Sequence, residues 1–204
     1  DLPKPLAVLN IGGVANVTWI GAGGEDQILA FDTGPGVALI DDYISRYTGR
    51  RYDEDGALAA RGVPQADILR KWLQNPWFDR PPPKSLDRNA WNVSGVGILA
   101  EQDAAATLTA FTAQAVAAAQ KHFPARPSRW LVTGGGRRNG ALMAQLRNAL
   151  DAPVEPVESA GWNGDAIEAE AFAYLAVRSV RGLPISFPGT TGVRAPLTGG
   201  RATA

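Results

Sequence analysis

The sequence has no cysteine, and that one absence excludes disulfides, thiolate metal sites, thiol nucleophiles and iron–sulfur chemistry. It has a single histidine, His122, which leaves little room for a Ser-His-Asp triad or a histidine-rich metal site. Charge of neither sign predominates, since 20 Lys+Arg balance 20 Asp+Glu. Nucleic-acid-binding domains carry a clear basic excess, so no nucleic-acid partner is expected. Long apolar runs are also missing. The longest Ala-rich stretch, residues 104–119, is broken by Thr107, Thr109, Thr112 and Gln114, so no membrane span is expected. No secretory leader pattern is visible at the start, and a cysteine-free composition suits a reducing cytoplasm, the expected location. Methionine is scarce as well: the only one is Met143, and the chain opens Asp1-Leu2-Pro3-Lys4. The expectation is a chain processed or cut from something longer. Its 204 residues suit one large domain, or one lobe with an insertion.

What is present is strongly patterned. Residues 6–11 (LAVLNI), 14–20 (VANVTWI) and 27–32 (QILAFD) are rich in strand formers and are separated by two glycine turns, which predicts an antiparallel meander. Residues 38–48, 54–61 and 65–74 fit short helices. The run Pro81-Pro82-Pro83 excludes helix interior or central strand, because proline lacks the donor and fixes φ. Residues 86–100 are loop-like. From Glu101 a long helix is predicted to His122, with Leu108, Phe111, Ala115 and Ala119 along one face. A buried-type strand follows at 129–133, then an amphipathic helix at 139–150. A short edge strand fits 153–157 and a helix fits 165–181, stopped by Gly182 and Pro184. The order is β-β-β, a mostly helical insertion over roughly residues 37–100, then α-β-α-β-α. That is an α/β arrangement of the ribonuclease-H-like type, the lobe duplicated in the actin, hexokinase and Hsp70 ATPase superfamily. No internal repeat is visible, so one lobe is expected.

Four segments could carry chemistry, and each also has a purely structural reading. Asn10 to Asn16 holds Gly12 and Gly13 at a hairpin tip. The glycines could supply positive φ for the turn, or their exposed N–H groups could lie against phosphate oxygens. Asp32 precedes Thr33-Gly34-Pro35-Gly36 at a strand end. It could hold hydrated Mg²⁺, or initiate a turn by bonding its own backbone. Gly134, Gly135 and Gly136 lead to Asn139 at a strand-to-helix junction suited to an anionic ligand, or to an ordinary turn with Asn139 as the helix cap. Neither G-x-G-x-x-G nor G-x-x-x-x-G-K-[ST] occurs, so Rossmann and P-loop sites are not expected. Asp165 and Glu168 are either a capping-box variant or two carboxylates on one helix face aimed at sugar hydroxyls or a reacting proton. Lys84 and Arg88 could meet an anion or belong to a solvated loop. His122 is explained by its place at a helix end.

Taken in order, LNIGGVANVTWI (9–20), AFDTGPGVALIDDYI (30–44), YDEDGALAARG (52–62), PPPKSLDR (81–88), AATLTAFTA (105–113), VTGGGRRNGALM (132–143) and GDAIEAEAFAYLAVRSVRGLPISFP (164–188) cover nearly the whole chain. This series resembles the C-terminal part of the anhydro-N-acetylmuramic acid kinases. The resemblance implies an ATP- and Mg²⁺-dependent transfer of phosphate to 1,6-anhydro-N-acetylmuramic acid, coupled to hydrolytic ring opening, in bacterial peptidoglycan recycling. It implies that Gly12, Gly13 and Asn16 form a phosphate-binding turn. Asp32, Gly34 and Gly36 would lie on the phosphate and Mg²⁺ side, with Asp32 as the metal residue. Gly134, Gly135, Gly136 and Asn139 would line the adenosine side, and Glu168 with Asp165 would reach the sugar. Two departures from the pattern stand out: Val37 replaces a polar residue after the DTGPG loop, and Asn89 replaces an acidic one after Arg88.

By the same resemblance, residues 1–204 form a C-terminal nucleotide-binding lobe, while the N-terminal lobe, its first phosphate loop and the catalytic aspartate would lie upstream of Asp1. No catalytic residue is therefore expected in this chain, and by itself it is expected to be inactive. The implied partners are ATP and a small sugar, with no nucleic acid and no membrane, and a homodimer as one form of assembly. The alternative is a non-catalytic nucleotide-binding or interaction module of the same fold. A ribonuclease-H-type nuclease fits poorly, because its first strand needs a metal-binding acid and this one offers Asn10.

Overall fold

The computed structural model describes residues 2–93 and 95–201. Three strands, β1 (Leu6–Ile11), β2 (Val14–Ile20) and β3 (Ile28–Pro35), form the expected antiparallel meander. Two later strands, β4 (Trp130–Thr133) and β5 (Val154–Pro156), add in parallel on the other side of β1. The sheet order is β3-β2-β1-β4-β5, the order of a ribonuclease-H-like lobe. Alternation along β1 explains the layering. Ala7, Leu9 and Ile11 are fully buried with Val17, Trp130 and Val132, while Val8 is half-buried and Asn10 exposed on the opposite face. A period of two sends successive side chains to opposite faces.

The helices are α1 (Ala38–Thr48), α2 (Ala66–Leu73), α3 (Glu101–Ala119), α4 (Gly140–Ala149), α5 (Ile167–Val180) and a single turn, α6 (Pro188–Thr191). α3 was expected to bury one face, yet it is buried nearly all round. It lies between two cores. Ala113, Val116 and Ala119 pack with the sheet and α4, whereas Leu108 and Phe111 pack with Ile40, Ile44, Leu69 and Trp72 of the helical insertion. Alanine suits this position because neighbouring backbone comes close: a side chain on Gly34 would come within 2.9 Å of Ala115. Two buried threonines of α3 find carbonyl acceptors, while the Thr109 hydroxyl is buried without a partner among the described residues. Thr107 donates to the Asp103 carbonyl at 2.6 Å and Thr112 to the Gly36 carbonyl at 3.0 Å.

Three local expectations are corrected. The third strand was expected to end at Asp32 with a Gly/Pro loop after it, but Thr33, Gly34 and Pro35 continue β3. A bulge shifts the register at Ala15/Asn16, so Ala15 pairs with Gly34 and Asn16 with Asp32, and Gly34 takes φ +152°. Residues 54–61 form two 3-10 turns in place of a helix. Asp53 takes the Leu58 and Ala59 N–H groups at 2.8 and 2.9 Å, and Asp55 and Gly56 adopt left-handed backbone. Finally, α5 begins at Ile167 with Ala166 at its N-cap, so Asp165 does not cap it.

Phe111 is fully buried and touches Trp72, Phe78 and Trp91, with ring centroids 5.0–6.2 Å apart. Phe111→Ala is expected to lower stability by about 3–5 kcal/mol, read as a shifted midpoint in urea unfolding.

Candidate functional site

Parallel pairing of β1 with β4 sets Asn10 opposite Thr133, so the two glycine turns leave the sheet side by side at its carboxyl edge. The contact is intimate. A Cβ on Gly134 would overlap the Asn10 side-chain oxygen and come within 2.6 Å of the Ile11 carbonyl, and one on Gly136 would meet Ile11 Cγ2 at 2.6 Å. Gly134 also needs its positive φ of 76°. Gly135 is different: a side chain there would meet nothing within 4 Å. Packing thus explains the outer two glycines, while the middle one is a bare backbone facing open space. Asn139 caps α4 by accepting the Leu142 N–H at 2.9 Å, as one of its two readings held.

The Gly12-Gly13 turn differs from its conformational reading. Neither glycine has positive φ. Gly12 and Gly13 instead lend their carbonyls to the segment after β3, accepting from Val37 N at 2.9 Å and Gly36 N at 2.9 Å. A Cβ on Gly36 would overlap the Gly12 carbonyl, so the first turn and the DTGPG segment are pinned together. Gly34 points to the core, against Ala115 and Phe78. Arg88 reaches this place from the proline-rich loop: a side chain on Gly13 would come within 3.8 Å of its guanidinium, which pairs with Asp42 at 3.0 Å.

Asp32 sits one row back, on the face of Asn10 and Asn16. One carboxylate oxygen accepts from Asn16 Nδ2 at 3.0 Å, and the other from the Leu86 N–H at 2.7 Å. Each oxygen keeps a lone pair, so the residue can serve as one of the one or two carboxylates that Mg²⁺ takes alongside phosphate oxygens and water. Among the described residues no group of three or more His, Cys, Asp or Glu could hold a metal ion.

Asp165 is drawn into an ion-pair cluster. Its oxygens accept from Arg137 at 2.7 Å and Arg138 at 2.6 Å, while Arg137 also bonds Glu158 at 2.9 Å and the Gly134 carbonyl at 2.9 Å. The Arg137 hydrogen bond holds the Asp165 carboxyl below the usual range. The start of α5 is thereby tied to the Gly134–Gly136 turn. Glu168 lies exposed on the first turn of α5. Lys84 meets no anion: it donates to the Trp77 and Phe78 carbonyls at 3.2 and 3.0 Å and lies 4.4 Å from the Trp77 ring centroid. Burial pushes it from 10.5 down to about 8. His122 shares the Phe78 carbonyl at 3.1 Å, and burial lowers its pKa as well.

One wall of the site was not expected from the sequence. A cavity of about 490 Å³ opens beside Gly135, Arg138 and Asn139 and is closed opposite by Asp41, Tyr52, Asp53, Glu54 and Asp55. The tight seat of Gly56 against Asn139 and Ala141 holds this acidic turn there. Burial, with the neighbouring Asp42 charge, raises the Asp41 carboxyl above the usual range. The available signal was D-E-D-G, a cluster of acids ending in glycine.

The profile of the anhydro-N-acetylmuramic acid kinase family matches residues 1–203. The chain is 57% identical over 96% of its length to an anhydro-N-acetylmuramic acid kinase of Rhizorhabdus wittichii, and 56% identical over 98% to one of Rhodospirillum rubrum. It covers 53% of each, so it spans about half the length of these curated relatives. Among solved structures, the activator of the 2-hydroxyisocaproyl-CoA dehydratase from Clostridium difficile, with bound ADPNP, aligns at TM-score 0.48 and 14% identity over 76% of this chain and 55% of that one. A likeness at this level adds no weight to the fold assignment, which rests on the strand order.

Two outcomes follow from the geometry. Gly134→Ala and Gly136→Ala should each destabilise the fold by about 1–3 kcal/mol, whereas Gly135→Ala should leave the urea midpoint unchanged. Lys84 gives a pH signature: between pH 8 and about 10.4 the folded form has released its proton while the unfolded chain still binds one, so stability should rise through that window. In Lys84→Met that rise should disappear from urea midpoints measured at pH 7, 8, 9 and 10.

Proposed function

The chain belongs to the anhydro-N-acetylmuramic acid kinase family, and we propose that it is the nucleotide-holding lobe of an ATP-dependent sugar kinase acting in cytoplasmic recycling of peptidoglycan. The reaction so read joins 1,6-anhydro-N-acetylmuramic acid, ATP and water. Water adds its oxygen to C1 and the C1–O6 bond breaks. The freed O6 takes the γ-phosphoryl group, and ADP leaves with N-acetylmuramic acid 6-phosphate as the sugar product. The proton lost by the water goes to a base that this reading assigns to the part of the relatives this chain does not match.

One observation supports the reading above the others: two glycine turns meet at the carboxyl ends of β1 and β4 with Gly135 bare toward open space. Ligands of open α/β sheets bind outside the carboxyl ends of the strands. We assign Gly12, Gly13 and Asn16 to the phosphates, with Gly34 and Gly36 holding that turn in place from behind. Gly134, Gly135, Gly136 and Asn139 take the adenosine side, facing the acidic wall of Asp53 to Asp55, where the Glu54 and Asp55 carboxylates suit ribose hydroxyls or an amino group as acceptors. Asp32 is the residue of this lobe that would hold Mg²⁺, which when bound neutralises charge developing on the phosphates. Glu168 is assigned to sugar hydroxyls, and Asp165 beside it orients the start of α5. Rate would come from orientation and electrostatics between two walls, of which this chain supplies one.

The second reading, a nucleotide-binding or interaction module without catalysis, is favoured by the engagement of both Asp32 oxygens. Calorimetric titration with a non-hydrolysable ATP analogue separates the two. Binding tighter than millimolar, strengthened by Mg²⁺ and weakened at least tenfold by Gly135→Val, is the expected result; Mg²⁺-independent binding favours the module, and no binding overturns both. The chain alone, given ATP and anhydro-sugar, should release no sustained ADP.

A further inference from the structure

The peptide bond between Gly134 and Gly135 has little steric reason to hold one orientation. Gly134 stands at φ 76° and ψ 178°, a region essentially closed to other residues. Gly135 opens the 3-10 turn Gly135–Arg138, without positive φ. With no Cβ on either side, counter-rotation about ψ of Gly134 and φ of Gly135 can turn the plane over at little steric cost. A planar trans peptide points its carbonyl and its N–H in opposite directions. Turning the plane over would therefore reverse the Gly135 N–H beside the cavity that Gly135 lines.

Arg137 fixes that plane from its carbonyl side. The Gly134 oxygen accepts from Arg137 Nη1 at 2.9 Å and from the Arg137 backbone N–H at 3.4 Å. The guanidinium is itself held. Its side chain is 7% exposed, with Nε donating to Glu158 at 2.9 Å and Nη2 to Asp165 at 2.7 Å. Another glycine makes its seat: a Cβ on Gly164 would come within 2.5 Å of Nε and 2.7 Å of the guanidinium carbon. Three acceptors on three nitrogens of a rigid planar group define its place, which an ammonium on a flexible stem would not reproduce. Both carboxylates are exposed, and ion pairs with exposed partners add little stability. What the arrangement supplies is a direction for the Gly134 carbonyl.

We propose that Arg137 is a positioning residue for the nucleotide: it locks the Gly134–Gly135 peptide so that the Gly135 N–H stays presented to an acceptor atom of the ligand. This rests on the reading of this edge of the sheet as the nucleotide site. Arg137 touches no ligand in this role and acts through the glycine peptide alone. Without the lock, apparent affinity falls in proportion to the fraction of molecules that keep the plane in its binding orientation.

The test follows the residue-135 amide by NMR in the full 204-residue chain, labelled with nitrogen-15 and free of nucleotide. In Arg137→Met that signal should broaden or split through exchange between two orientations, while the amides of β4 stay sharp. Adding Gly135→Ala should restore one sharp signal, because the turned plane would drive an alanine there to positive φ. A Cβ at that position meets nothing within 4 Å, so a new contact cannot account for the rescue. Calorimetry with a non-hydrolysable ATP analogue should show binding weakened about tenfold or more in Arg137→Met. Arg137→Lys should fall between the two, and it carries the test if Arg137→Met does not fold. A folded variant whose Gly135 signal stays single overturns the proposal. So does weakened binding without that change, since Arg137 would then act through its charge. Unchanged affinity beside a split signal, or a split that Gly135→Ala fails to remove, overturns it as well. No binding by the unaltered chain sinks the nucleotide reading, and the amide signals then show separately whether Arg137 holds the peptide.

Discussion

Parallel pairing of β1 with β4 is the contact on which the site depends. The two strands are separated by more than a hundred residues of sequence, yet their register puts Asn10 beside Thr133. With that register the turn after β1 and the turn after β4 must leave the sheet together. Their backbones then come so close that Gly134 and Gly136 have no room for a Cβ against Asn10 and Ile11. Slipping a parallel pair by one residue would turn every side chain of a strand to the wrong face, and the full burial of Leu9, Ile11, Trp130 and Val132 opposes such a slip.

Glycine therefore has three separate duties at this edge of the sheet. Gly134 supplies a backbone conformation, Gly136 and Gly36 permit close approach, and Gly135 leaves a surface bare. Only the last has no structural explanation, which is why the nucleotide assignment leans on it. The acidic turn opposite is held by similar means. Asp53 spends its carboxylate on two backbone N–H groups, and Gly56 sits against Asn139, so the wall is rigid before any ligand arrives. Preorganised polar groups of this kind cost no reorganisation when charge develops beside them.

The helical insertion and the sheet are joined through α3, whose small side chains let two cores share one helix. Of the threonines that break its apolar run, Thr107 and Thr112 are buried with their hydroxyls on carbonyls, whereas the Thr109 hydroxyl is buried without a partner among the described residues. Sequence periodicity anticipates one buried face for such a helix, since a second core on its far side is invisible locally. Asp165 is a comparable case. Asp followed by Glu three residues on reads as a helix cap, but two guanidiniums delivered from the Gly134–Gly136 turn outcompete the backbone N–H groups for its carboxylate.

Much was legible in the sequence alone. Strand-forming residues on either side of a glycine turn determined β1 and β2 to the residue, residues 38–48 read as the helix that α1 is, and the order of elements determined the ribonuclease-H-like lobe. The motifs also sufficed to recognise the family, because seven segments in a fixed order constrain far more than any one of them. Tertiary structure decided what each glycine is for, that Lys84 serves two carbonyls and an aromatic ring, that Asp32 is shared with Asn16 and Leu86, and that Asp41 and Tyr52 to Asp55 face Gly135 across a cavity. The physical reason is range. Propensity and periodicity act over a few residues and are written locally. Close approach, competition for a carboxylate and the two sides of a cavity arise only when distant segments are packed together.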